Sequence, residues 1–209
     1  MEIFKYKINK ENFFFILLVL IPFFYISGSL LVNLSTLIVI ITAIFFSEKR
    51  IFLNFLKKYK IYIFSFFVII FFNILFSETK LFSLNKIILY LRFFLFTLCY
   101  IFLISRLTNN HLKTLSKFFL LLIAFVIFDS LIQLVFGKDL FGFEYFYPYN
   151  RITGPFGSEM IVGFYVLNFG ILTISFLNYF FSINKIYNFL LFSILFLFIL
   201  LTGERTSFL

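Results

Sequence analysis

The chain has 209 residues, is 63% hydrophobic and 25% aromatic with Phe occurring 40 times, and carries a net charge of +9. Only 13% of its residues are charged, too few to cover that apolar surface in water, so a soluble globular domain is excluded and a polytopic membrane protein is predicted. The basic residues fall mainly in alternate loops, a distribution that points to a lipid bilayer as partner and away from nucleic acid.

Long apolar runs without period-two alternation predict helices, because within lipid each segment must satisfy its own backbone amides. In chain order the predicted spans are Phe13 to Ser27, Leu30 to Phe46, Ile61 to Phe76, Ile87 to Ile104, Phe118 to Phe136, Met160 to Phe181 and Tyr187 to Thr202. This is an all-α, seven-span bundle forming a single domain over residues 1–209. Several runs are shorter than the roughly 20 residues that cross a bilayer comfortably. Lys5, Lys7, Lys10, Lys49, Arg50, Lys57, Lys58, Lys60, Arg106, Lys113, Lys117 and Lys185 lie in one set of loops. Lys80, Lys86, Lys138, Arg151 and Arg205 fall in the other. The first set, with the N-terminus, is expected on the cytoplasmic side, which leaves the loop 137–158 outside.

The basic start and the small residues Ser27, Gly28 and Ser29 loosely resemble a signal peptide, but the segment is read as a retained span. A lone Cys99 within an apolar run rules out an intrachain disulfide and a cysteine metal site, and no metal or cofactor is expected. His111 is read as an ordinary loop residue. At the far end, residues 203–207 emerge on the outer side and Phe208-Leu209 look like the start of another helix. The chain is therefore expected to be the N-terminal fragment of a longer protein.

Ionisable groups at membrane depth are functional candidates, because the bilayer penalises them unless they meet a partner or a cavity. Arg92 in the fourth span and Asp129 in the fifth lie about 9 and 10 Å from the outer ends of their helices. They are predicted to pair or to share a polar cavity opening outward, in either a structural or a substrate-binding role. Gln133 and Gly137 follow Asp129 at intervals of four and share its helix face. Asn73 and Asn168 add hydrogen-bonding capacity or serve as packing glue.

The outer loop carries aromatic residues at Phe143, Tyr145, Phe146, Tyr147 and Tyr149. They anchor it at headgroup level or stack on sugars, and sequence does not separate the two. Gly154, Pro155 and Gly157 break the backbone, Ser158 is a candidate N-cap, and the sixth span is expected to begin beside Arg151. A guanidinium near the positive end of a helix suits an anion, although Glu159 in the first turn weakens the field. With Arg205 on the same side, two arginines could neutralise a diphosphate leaving group without a metal.

The series Asp129, Gln133, Gly137, Asp139, Phe141 and Gly142, then Asn150, Arg151, Gly154, Gly157, Glu159 and Gly163, then Thr202, Gly203, Glu204, Arg205 and Thr206 resembles the O-antigen ligase and O-antigen polymerase family of bacterial inner membranes. The resemblance implies a metal-independent, multi-pass glycosyltransferase of lipopolysaccharide biosynthesis with a cytoplasmic N-terminus. Such an enzyme moves a glycan from undecaprenyl diphosphate to lipid A core or to a growing polysaccharide at the periplasmic face. It also implies diphosphate-binding roles for Arg205 first, Arg151 second and Arg92 third, with Asp129 and Gln133 supporting a polar cavity. The large later loop in which ligases carry a functional histidine is absent here, so no general base is assigned and these residues alone are expected to be inactive.

A transporter or flippase is the rival reading, since intramembrane Arg and Asp also suit translocation. It predicts broken helices at mid-membrane and paired repeats, whereas the Gly/Pro cluster lies in the outer loop. A non-catalytic assembly subunit fits the composition but leaves the outer arginines unexplained.

Overall fold

The computed structural model describes residues 10–77, 80–144 and 151–203. Among the described residues the regular elements are helical, with one isolated antiparallel bridge between Lys138 and Glu144. The helices are α1 (Lys10–Ile26), α2 (Ser29–Phe45), α3 (Lys49–Lys58), α4 (Lys60–Phe76), α5 (Lys80–Ile104), α6 (Asn109–Phe136), α7 (Val162–Phe181) and α8 (Lys185–Thr202), with a short 3-10 turn at Gly154–Phe156. Each apolar run lies on a helix, with ends that differ by up to nine residues, at the start of α6. Polar and basic residues extend several of these helices beyond the hydrophobic stretch, because helix propensity does not stop where hydropathy falls.

Helix length singles out some of these helices as candidate spans. α6, α7 and α8 are long and apolar enough to cross a bilayer alone, and α2 with α3 makes a fourth if a pair bent by 112° is one span. α4 and the Leu89–Ile104 part of α5 are apolar but shorter. The chain is thus an all-α protein with three to four candidate membrane-spanning helices. Its largest departure from expectation is α3. Hydropathy alone assigns residues 49–58 to a loop, yet Ile51, Phe52, Phe55 and Leu56 recur at helical spacing and form one face of a helix.

The chain divides into two compact units. One contains residues 33–107. Here the Phe66 and Phe94 rings stack with centroids 3.9 Å apart and planes 3° from parallel, joining α4 to α5. Phe52 and Phe55 of α3 set their edges on Phe102 of α5 at 5.2 and 5.3 Å. α4 buries no residue, so it packs through one thin seam and leaves the rest of its apolar surface outward.

The second unit contains residues 15–32 and 108–203. Its core is Ile123 and Val126 of α6, Val162, Tyr165 and Val166 of α7, Phe198 of α8, and Phe156 from the loop. A Cβ on Gly170 would lie 2.7 Å from Cδ1 of Leu195, so glycine at this position lets α7 approach α8 closely. Nearer the connection between the same two helices, Asn188 donates a side-chain hydrogen bond to Asn178. The outer surface is the reverse of a soluble protein's: Phe136 is 76% exposed and Tyr179 77% exposed. Such a surface fits hydrocarbon as its solvent.

Candidate functional site

The most highly organised polar feature of the second unit is the connection between α6 and α7, and it is built from the last two turns of α6. Val126, Asp129, Ser130 and Gln133 are all fully buried on one face, as their spacing of three and four residues requires. α6 then ends on Gly137, whose left-handed φ of 77° lets its amide reach the Gln133 carbonyl at 2.9 Å. Gly137 therefore stops the helix instead of continuing the polar face.

The loop that follows folds back on that face. Asp129 Oδ1 accepts the Leu140 amide at 2.9 Å. Asp139 Oδ1 accepts the amides of Phe141 and Phe143 at 3.0 and 2.6 Å, closing a side-chain-capped turn. Lys138 and Glu144 pair at 3.0 Å across the isolated bridge, and both are well exposed.

Gln133 ties both ends of the loop together. Its Oε1 accepts the amides of Thr153 and Gly154 at 2.9 and 2.8 Å. Its Nε2 donates to Thr153 Oγ1 at 3.0 Å and toward the carbonyls of Phe143 and Glu144 at 3.3 and 3.4 Å. A single buried amide thus satisfies backbone groups from two loop strands, which in a low-dielectric setting is worth more than the same bonds in water. Gly154 sits so close to α6 that a Cβ there would run into Ser130 Oγ, and its φ of 49° is left-handed as well. Thr153, unremarked as a site residue in the sequence, is completely buried at the centre of this clamp.

The clamp positions Arg151. Its side chain is half-buried, with Nη1 3.6 Å from Sδ of Met160, two residues before α7 begins at Val162. α7 starts later than the sequence implies: Ile161 stands at its N-cap with no side-chain cap bond, so Ser158 does not cap it and Glu159 is not in its first turn. Glu159 instead donates its amide to the Phe156 carbonyl at 3.2 Å, within the turn that follows the 3-10 segment.

The other expected site residues are distributed as follows. Arg92 lies on α5 in the first unit, its guanidinium carbon 4.8 Å from the Phe93 ring centre, and its Nε has no hydrogen-bond partner among the described residues. Asp129 lies in the second unit and engages the loop backbone. Arg205 falls outside the described residues, as do Glu204, Thr206, Asn150 and the aromatic cluster Tyr145, Phe146, Tyr147 and Tyr149. Asn168 donates to the Phe164 carbonyl one turn back at 2.8 Å. Asn73 lines a cavity of about 640 Å³ between α4 and α5 together with Lys86 and Tyr90. His111 stacks on Phe15 at 4.9 Å, its Nδ1 3.0 Å from Thr108 Oγ1. Among the described residues no cluster of His, Cys, Asp or Glu could hold a metal ion.

What the fold and this loop define is a class: an all-α protein with candidate membrane-spanning helices and a clamped, arginine-bearing connection between two of them. The chain matches no protein-family profile, no curated protein and no solved structure.

Proposed function

We propose that this chain belongs to a glycosyltransferase like the O-antigen ligases and polymerases, multi-pass in the bacterial inner membrane with seven crossing helices and its N-terminus in the cytoplasm. The observation that supports this reading best is the placement of Arg151 beside the start of α7, on a loop held to α6 by Gln133 and Asp129. A cation on a rigid support beside a helix N-terminus can meet the charge of a diphosphate without reorganising as that charge grows.

In the proposed reaction the bond between the anomeric carbon of the glycan and the diphosphate oxygen breaks, and a new bond forms to an acceptor hydroxyl on lipid A core or on a growing polysaccharide. Undecaprenyl diphosphate leaves with its charge neutralised by Arg151 and Arg205, and the hydroxyl proton passes to a base not assigned to any residue here. Arg92 is a weaker candidate for the same diphosphate, because its guanidinium already faces the Phe93 ring. Asp129 and Gln133 hold the loop, so their contribution is positioning.

The test is substitution of Arg151 and Arg205 by Lys and by Ala in cells that make the polysaccharide. Loss of long-chain polysaccharide with accumulation of carrier-linked glycan is expected, because Lys cannot make the bidentate contact. Normal polysaccharide in both Lys variants would refute the diphosphate role, and uncapped precursors held on the cytoplasmic face would point to a flippase instead.

A further inference from the structure

The observations point to α3 as a surface-lying helix whose cationic face binds anionic phospholipid headgroups, and we propose this as its function. Its axis turns 112° from α2, so a chain that follows α2 across a bilayer leaves it to run along the surface. Only residues 46–48 separate it from α2, and Tyr59 alone separates it from α4. A ten-residue helix tethered at both ends to apolar helices cannot move away from the membrane surface.

The two faces differ in chemistry. At about 100° per residue, Ile51, Phe52, Phe55 and Leu56 fall on one side and Arg50, Asn54, Lys57 and Lys58 within an arc of roughly 100° on the other, with the exposed Leu53 at the border beside Lys57. The apolar side is half-buried and seated on Phe102. Arg50, Lys57 and Lys58 are exposed and make no ion pair among the described residues. Lys58 reaches over the Tyr59 ring at 5.7 Å, and Tyr59 lies 6.1 Å from Tyr62, placing amphipathic rings where an interface favours them. A short helix of this polarity, lying flat with basic side chains outward, matches the negative potential of a leaflet rich in anionic lipid. An acidic protein would satisfy the charge equally, but the tether to α2 and α4 keeps the patch at headgroup depth. The small hollow beside Ile51 does not compete for the anion, because Glu11 and Glu48 line it together with Lys10 and Arg106 and leave it without an excess of positive charge.

The test uses the full chain purified in uncharged detergent, with thermal unfolding followed by circular dichroism while phosphatidylglycerol or phosphatidylcholine is added. Phosphatidylglycerol is expected to raise the unfolding temperature more than phosphatidylcholine does, with the difference shrinking at high salt. Combined Arg50→Gln, Lys57→Gln and Lys58→Gln substitution should abolish that difference, whereas Lys113→Gln, Lys117→Gln and Lys185→Gln should keep it. If the triple variant does not fold, the single Lys57→Gln and Lys58→Gln variants carry the test, each weakening the preference about fivefold. An undiminished preference in the α3 variants, an equal loss in the control variant, or the same rise with glycerol phosphate in place of lipid would overturn the assignment.

Discussion

The backbone amide of Gly154 donates to Oε1 of Gln133 across 2.8 Å, and this bond joins the middle of the long loop to the final turn of α6. Thr153 makes the neighbouring bond to the same oxygen at 2.9 Å. Removing the Gln133 side chain leaves both buried amides without an acceptor, a larger loss than the net worth of two hydrogen bonds. Gln133→Leu is expected to destabilise the second unit by about 2–5 kcal/mol. Hydrogen exchange at residues 151–156 should accelerate in the variant; unchanged protection there would show that Gln133 does not hold the loop.

Gly154 and Ser130 form a second, steric contact. Gly154→Ala combines a left-handed φ of 49° with a Cβ aimed at Ser130 Oγ, at a cost of roughly 1–3 kcal/mol for the backbone alone. Ser130 Oγ has no hydrogen-bond partner among the described residues, so Ser130→Ala by itself is expected to be close to neutral. Adding Ser130→Ala to Gly154→Ala should recover the steric part of the loss and leave the backbone part. Thermal unfolding of the three variants reads this directly, and simple additivity would contradict it.

Tyr165 separates packing from hydrogen bonding in the core. Its hydroxyl donates to the Pro22 carbonyl at a long 3.4 Å, while its ring meets Phe156 edge-on at 5.1 Å. Tyr165→Phe should cost less than about 1 kcal/mol, and Tyr165→Ala about 3–5 kcal/mol through the cavity it opens. Equal destabilisation by the two would move the weight to the hydroxyl.

The proposed orientation is testable with cysteine labelling. Cys99 is buried and is the chain's one cysteine, so Cys99→Ala provides a clean background. Lys57→Cys, Lys113→Cys and Lys185→Cys should react with an impermeant reagent only from the cytoplasmic side, and Lys138→Cys only from the outside. Lys113 and Lys138 stand near opposite ends of the 28-residue α6, a length of about 42 Å. Labelling of both from one side would rule out α6 as a span.

Much of the helical layout was legible in the sequence, because runs such as Val162–Phe181 and Lys185–Thr202 announce themselves by hydropathy. α3 was hidden, since its basic residues mask an apolar face that appears only when positions are read at helical spacing. The pairing of Gln133 with Thr153 spans 20 residues and depends on the loop folding back, which no local pattern encodes. A buried charge such as Asp129 invites a counter-ion, but the acceptance of the Leu140 amide by its Oδ1 is not legible locally, because it exists only once Gly137 has turned the chain. Ser158 has the composition of a helix cap, but the turn at Gly154–Phe156 delays the start of α7 beyond it.

The central claim is that Arg151, held by this clamp, binds a diphosphate. Its most direct test is the affinity of the purified full chain for undecaprenyl diphosphate, compared among wild type, Arg151→Lys and Arg151→Ala. Arg151→Ala is expected to weaken binding at least about tenfold, the scale of one lost charge-assisted pair, with Arg151→Lys between the two. Equal affinity in all three proteins would contradict it.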